Sequence, residues 1–354
     1  MRGGRAGLRL REPADQSGPA HRSRSGAVRA AARGRRRRVR RATRTPAALG
    51  ARFRRTVGGL VRRGRRERRT RAGLRRRRSR SGATARVRVV TARPPIVLLH
   101  GWPVTDLHWR HLLPRLRDAG FTPLPMSLPG LGMSADGVRD FRKSTLVDRV
   151  LDQLAAQSVR RCAVIGHDWG GTVAVHLAAA SPDLVGALVV EEEILPGIDV
   201  GVPAPGSAHY PDWHGAFNRA PGLAEGLVPG REDDFYGAFL RQSAGPAALD
   251  PAVVRAYVDA YRPTDVHRAA LQYYRTRTVD LDDVARLRTH PITVPVLGLG
   301  GRYAMGTAVA EGLRPVAKDV RGVVLSDSGH YPAEQEADCA ARAVIDFLRE
   351  RDLH

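Results

Sequence analysis

Over the last three quarters of the chain the apolar residues follow two alternating patterns. Short unbroken runs occur in "PPIVLLHGWP" (94–103), "FTPLPMSLPGLG" (121–132), "CAVI" (162–165), "GALVVEEEI" (186–194), "PITVPVLGLGG" (291–301) and "GVVLS" (322–326). Runs of this length between turn signals read as strands buried on both faces. Between them, apolar residues recur every three to four positions over 106–120, 144–158, 172–180, 307–317 and 334–352, the spacing of amphipathic helices. Gly120 stops the first, Ser144 reads as the cap of the second, and Ser181-Pro182 closes the third. Strands alternating with helices predict an α/β domain with a mostly parallel, doubly wound sheet, over 86–195 and 286–354. Between 196 and 285 the pattern changes to proline-punctuated helical segments rich in Tyr, His and Trp. This stretch is expected to be an inserted helical cap over the carboxyl edge of the sheet, where open α/β sheets bind ligands.

Charge separates the chain into two materials. Residues 1–90 carry 32 arginines, no lysine and three acids, a net +29, whereas 91–354 carry −5. A segment built of runs such as "RGRRRRVRR" has too little apolar surface to offset the entropy of ordering, so 1–85 is expected to be a disordered extension. It contains one aromatic residue, Phe53, and no nucleic acid is expected as its partner. The whole chain has 57 arginines against two lysines, Lys143 and Lys318, the mark of GC-rich coding. Translation from upstream of the true start would give such a stretch. No apolar run approaches the ~18 residues of a membrane span, and no h-region follows the twin arginines. The two cysteines, Cys162 and Cys339, have no metal spacing and read as core residues of a cytoplasmic protein. Neither a cofactor nor a membrane is expected, and nothing specifies an oligomeric state.

The chemistry centres on "GHDWGG" (166–171), between the strand "CAVI" and the helical run "TVAVHLAAA". G-x-D-x-G matches a nucleophile elbow, in which small flanking residues permit a strained strand-to-helix turn. Asp168 stands at the apex, and the N–H of Trp169 and the helix N-terminus face incoming negative charge. A carboxylate there suits displacement at a saturated carbon, forming an ester that water later hydrolyses. An ordinary helix-capping aspartate would explain neither both glycines nor the preceding strand. The glycines do not form G-x-G-x-x-G and no Lys-Ser/Thr follows, which excludes nucleotide binding. A second step needs a base, and "DSGHYPAE" (327–334) offers His330 in the loop between the last strand and the last helix. The base needs an orienting acid. "GGRYAMG" (300–306) has none, but "VVEEEIL" (189–195) ends a strand in Glu191, Glu192 and Glu193. Strand alternation would turn Glu192 opposite to its neighbours, and Glu192 is the expected acid, with Asp327 as the fallback. "HGWP" (100–103) places His100, a candidate substrate-binding residue, at the end of the first strand and supplies the N–H of Trp102 as a second oxyanion donor.

H-G-x-P, G-H-D-W-G-G and the late S-G-H resemble the α/β-hydrolase superfamily, in its epoxide hydrolase and haloalkane dehalogenase branch. The resemblance covers 91–354 and implies the α/β-hydrolase fold with an inserted helical cap. It also implies an extra strand pair at the start, for which 83–94 is the candidate. Epoxide hydrolases set two cap tyrosines over the nucleophile to protonate the opening oxygen. "LQYYRT" (271–276) resembles the segment carrying the second and points to Tyr274; the position of the first is occupied by His214. Fluoroacetate dehalogenases share a histidine there, but their carboxylate-binding arginine beside the nucleophile is Trp169 here. Haloalkane dehalogenases share that tryptophan, but many hold halide with an asparagine where Trp102 stands. The resemblance therefore implies a cofactor-independent hydrolase of small molecules, an epoxide hydrolase first. A dehalogenase using the same Asp-His-acid cycle is the alternative, and a non-catalytic ligand-binding protein of this fold is a reading of another class.

Overall fold

The computed structural model describes residues 94–200 and 210–351. The extension expected over 1–85 lies outside the described residues, as does all of 83–94 but its last residue. Six strands form one parallel sheet: β1 (Ile96–Leu99), β2 (Pro123–Met126), β3 (Cys162–His167), β4 (Val185–Glu191), β5 (Val296–Gly301) and β6 (Val320–Leu325), in the spatial order β2-β1-β3-β4-β5-β6. The unbroken apolar runs have a direct cause, because helices cover both faces. Ile96 and Leu98 of β1 pack with Trp109, Leu112, Val344 and Phe347 on one side. Val97 and Leu99 pack with Leu146, Val150, Val173 and Leu177 on the other. β2, with Pro123 and Pro125, and β6, with Arg321, are the two edges, where missing or solvated ladder groups cost least.

The flanking helices are α1 (Leu112–Asp118), α2 (Lys143–Ala156) and α3 (Trp169–Ala180). Several expected elements are shorter or divided. The helix expected over 106–120 is a 3-10 turn at Asp106–Trp109 followed by α1, whose Pro114 sits in the first turn, where no N–H is required. Ser144 lies inside α2 and donates to Asp283 Oδ2 rather than capping the helix. From the run 291–301 only β5 is strand; Ile292 makes an isolated bridge to Ala317.

Between β4 and β5 the regular structure of the described chain is helical: α4 (Trp213–Arg219), α5 (Leu223–Leu227), a π turn at Asp233–Gly237 running into α6 (Ala238–Ser243), α7 (Pro251–Ala260), α8 (Thr264–Arg275) and α9 (Arg277–Thr289). Thus helix continues beyond 285. The chain ends in α10 (Ala308–Leu313) after β5, then α11 (Pro332–Gln335) and α12 (Ala337–Glu350) after β6. The last two divide what the spacing reads as one helix, at Glu336 with φ −129° and ψ 50°. Among the described residues no helix is long and apolar enough to cross a membrane.

Candidate active site

β3 delivers the chain to Asp168, whose φ of 50° and ψ of −128° lie outside the region an L-residue ordinarily occupies. The turn closes only because its neighbours lack side chains. A Cβ on Gly166 would lie 2.4 Å from Gly170 O, and one on Gly170 would lie 2.3 Å from Leu99 O. With that packing the Asp168 carboxylate points out of the turn. Its Oδ1 accepts from the N–H of Trp102 at 2.7 Å, and its Oδ2 lies 3.6 Å from His330 Nε2.

His330 sits after β6 in a loop held against the helical insertion. Its own N–H donates to Ser243 O at 2.9 Å, and its carbonyl accepts from His167 Nε2 at 2.8 Å. Nδ1 pairs with Glu192 Oε2 at 3.0 Å. Burial disfavours a charged imidazole here, but the Asp168 and Glu192 carboxylates on its two sides outweigh that and raise it to about 9. In the resting protein His330 is thus an imidazolium between two acids.

The three glutamates are all buried and have separate partners. Glu191 is the last residue of β4 and faces His108 at 3.2 Å and the N–H of Ala333 at 2.9 Å. Glu192 reaches His330 by a backbone turn with φ of 49°, not by strand alternation, because β4 has already ended. Its Oε1 also accepts from Gly301 N at 2.6 Å, which locks the carboxylate. Glu193 accepts from the Thr172 hydroxyl. Asp327, the fallback acid, is exposed and interacts with Ser326 and Glu336, so it does not reach His330.

A pocket of about 150 Å³ opens on Asp168 and is lined also by Trp169, Glu193, Tyr210, His214 and Tyr274, with Arg219 and Arg277 among the remaining lining residues. The Tyr274 hydroxyl and the Nε1 groups of Trp102 and Trp169 are buried and make no hydrogen bond of ordinary geometry among the described residues, although the Trp169 indole approaches the Tyr274 hydroxyl. The rings of these two tryptophans lie 5.4 and 5.2 Å from that of Tyr274. Burial first, then the Asp168 charge, hold the Tyr274 phenol well above its ordinary range, so it stays a donor.

His214 and His100 are placed differently from one another. His214 lines the pocket, but its Nδ1–H donates to Pro211 O at 2.6 Å, and burial pushes it down to about 4. It is neutral with Nε2 an acceptor, and so cannot donate to a leaving oxygen in that form. His100 is fully buried, bonds Gly101 O through Nδ1, and does not line the pocket. Of the two expected oxyanion amides, Trp102 N–H binds Asp168; the N–H of Trp169 makes no hydrogen bond to it among the described residues.

Two residues escape a reading of the sequence. Tyr210 enters the pocket four positions before His214, its ring 4.9 Å from that of His330. Lys143, fully buried at the start of α2, donates to Asp280, Thr276 Oγ1 and the Tyr273 carbonyl, and its Nζ lies 4.1 Å from the centre of the Trp169 ring. Being one of two lysines against 57 arginines is the available signal for it.

Comparison with known proteins gives the family and the fold. A family model described as "Alpha/beta hydrolase family" matches residues 96–342. A soluble epoxide hydrolase of Corynebacterium sp. is 28% identical over 262 residues, covering 72% of this chain and 90% of that protein. A haloalkane dehalogenase of Mesorhizobium japonicum is 28% identical over 280 residues, covering 73% and 85%. The crystal structure of Cfl2 from Burkholderia cenocepacia matches with a TM-score of 0.66 at 29% identity, covering 72% of this chain and 87% of that one.

Proposed function

We propose that this chain, which belongs to the alpha/beta hydrolase family, is an epoxide hydrolase that works through a covalent ester on Asp168. The carrying observation is the Asp168 carboxylate, one oxygen held by the N–H of Trp102 and the other facing His330 across 3.6 Å. On this reading Oδ2 attacks an epoxide carbon while Tyr274 donates to the opening oxygen. Oδ1 becomes the ester carbonyl oxygen and is already at its amide donor, an interaction whose loss in such sites costs roughly 10²–10³ in rate. The helices between β4 and β5 serve as the cap that closes the pocket over the nucleophile.

The first step prepares the second. Esterification removes the Asp168 charge, and with it part of what holds His330 protonated. His330 then loses its proton to solvent and, oriented by Glu192, takes one from the water that attacks the ester carbonyl carbon. Collapse returns the Asp168 carboxylate and the diol without a cofactor.

A second reading has its own observation. The buried indole N–H groups of Trp102 and Trp169, on rings 5.4 and 5.2 Å from that of Tyr274, and the Tyr274 hydroxyl are donors that suit a departing halide as well as an oxygen. The test is a panel of small epoxides and haloalkanes, with diol and halide ion measured together. Diol release with epoxides supports the first reading and halide release without it the second. Neither product would favour a ligand-binding protein of this fold.

A further inference from the structure

We infer that Glu193 is a catalytic acid of this site, the group that delivers the proton to the oxygen of an opening epoxide. The inference rests on the proposed Asp168 ester cycle. Glu193 lines the same pocket as Asp168 and is 6% exposed. Oε1 is engaged by the Thr172 hydroxyl of α3, whereas Oε2 makes no hydrogen bond among the described residues. A buried carboxyl with one oxygen anchored and the other free toward a reactive pocket can present a proton to a bound molecule. Burial, and next the neighbouring Asp168 charge, raise it to about 8, which favours the neutral carboxyl.

His330 carries its proton against Asp168 and does not line the pocket, and the other groups that line it lack an acid of suitable strength. His214 offers a lone pair at Nε2, and Tyr274 holds its proton too tightly to release it near neutral pH. Tyr274 can stabilise the developing alkoxide by a hydrogen bond, but an acid whose pKa lies near the working pH transfers the proton more effectively. The balance is complete. The Asp168 oxygen–carbon bond forms, the epoxide carbon–oxygen bond breaks, and the Glu193 proton ends on the new hydroxyl. The proton that His330 releases to solvent on esterification then restores Glu193 from solvent.

A haloalkane separates this role from a structural one, because halide leaves as an anion and needs no proton. The measurement is the rate at which Asp168 of the full chain is alkylated in a single turnover, followed by intact-protein mass spectrometry. Styrene oxide and 1-bromobutane are the probes, and wild type, Glu193→Gln and Glu193→Asp the proteins. Glu193→Gln should slow the epoxide by about 10²-fold, within the usual range for a general acid, and the bromide by less than 3-fold. Glu193→Asp should recover part of the epoxide rate. Equal slowing of both probes, or of neither, overturns the inference while leaving the Asp168 cycle intact. Absence of any adduct in the wild type with both probes overturns the cycle itself, and this inference with it.

Discussion

His330 Nδ1 and Glu192 Oε2 are 3.0 Å apart at the end of a backbone turn in which Glu192 takes a φ of 49°. With Oε1 pinned by Gly301 N, the carboxylate fixes both the tautomer and the direction of the imidazole. Glu192→Gln should therefore leave Asp168 alkylation within a few-fold of wild type and slow release of the ester by roughly 10²–10⁴. Asp327→Asn should change neither step. Rapid-quench measurement of the two phases checks this; unchanged ester release in Glu192→Gln would remove the assignment.

The elbow, His330 and the neighbourhood of the acid were legible because each sits where a strand ends, and strand ends can be read from apolar runs. Strand alternation points to Glu192, yet β4 stops one residue earlier and a left-handed turn aims the side chain. No periodicity records such a turn. The same limit hides Tyr210, which reaches the pocket through an irregular segment, and the tautomer of His214, which depends on one carbonyl three residues away. Lys143 reads as an ordinary helix residue because its partners, Tyr273, Thr276 and Asp280, are 130 to 137 positions distant.

Two glycine-to-alanine changes should have opposite signs. At Gly170 the added methyl would meet the backbone oxygens of Leu99 and His100 at 2.3 and 2.5 Å, and backbone cannot step aside. Loss of more than about 3 kcal/mol is expected, from overpacking a closely fitted site. At Gly226, inside α5, nothing lies within 4 Å of the added methyl. Alanine there should stabilise by about 0.5–1 kcal/mol through helix propensity and reduced unfolded-state entropy. Thermal melts of the two variants decide it, and a stable Gly170→Ala would contradict the packing.

Stability should fall as pH rises from 6.5 to 9. His108 is buried; burial alone would lower it, but Glu191 and Glu334, facing its two ring nitrogens, raise it to about 9. The folded protein therefore binds this proton more tightly than the unfolded chain. The contribution is complete below 6.5 and is lost as pH passes through 9, on the order of 3 kcal/mol for His108. His330 acts in the same direction, and Glu193, raised to about 8, does so from lower pH. Lys143, held below its ordinary range by burial, opposes them, so the comparison with His108→Gln isolates the histidine. Melting temperatures across this range should fall more steeply for wild type than for the variant; parallel curves would count against the buried charge.

Tyr274→Phe removes a buried hydroxyl that makes no hydrogen bond of ordinary geometry among the described residues, only a weaker approach from the Trp169 indole. Deleting an unsatisfied polar group is neutral or stabilising, so the melting temperature should hold or rise. Single-turnover epoxide opening should slow by about 10- to 100-fold through loss of a donor to the developing oxyanion. A lower melting temperature with unchanged opening would make Tyr274 a packing residue alone.

The assignment of Asp168 as nucleophile leads to the most exposed prediction. A carboxylate ester is a bond that water can break at its carbonyl carbon, which regenerates the carboxylate, and on the proposed cycle His330 is the base for that step. His330→Gln should let one substrate molecule react and then stop. The amide at that position can still hydrogen-bond in the buried site but cannot take the proton from water. Intact mass should rise by one substrate unit, and peptide mapping should place the adduct on Asp168. In 18O-labelled water, a single wild-type turnover should put the label into the Asp168 carboxylate, since water attacks Cγ and the diol leaves with an oxygen that came from the aspartate. Label found directly in the diol after one turnover, together with an unmodified His330→Gln protein, would mean that water attacks the substrate and that Asp168 acts as a base.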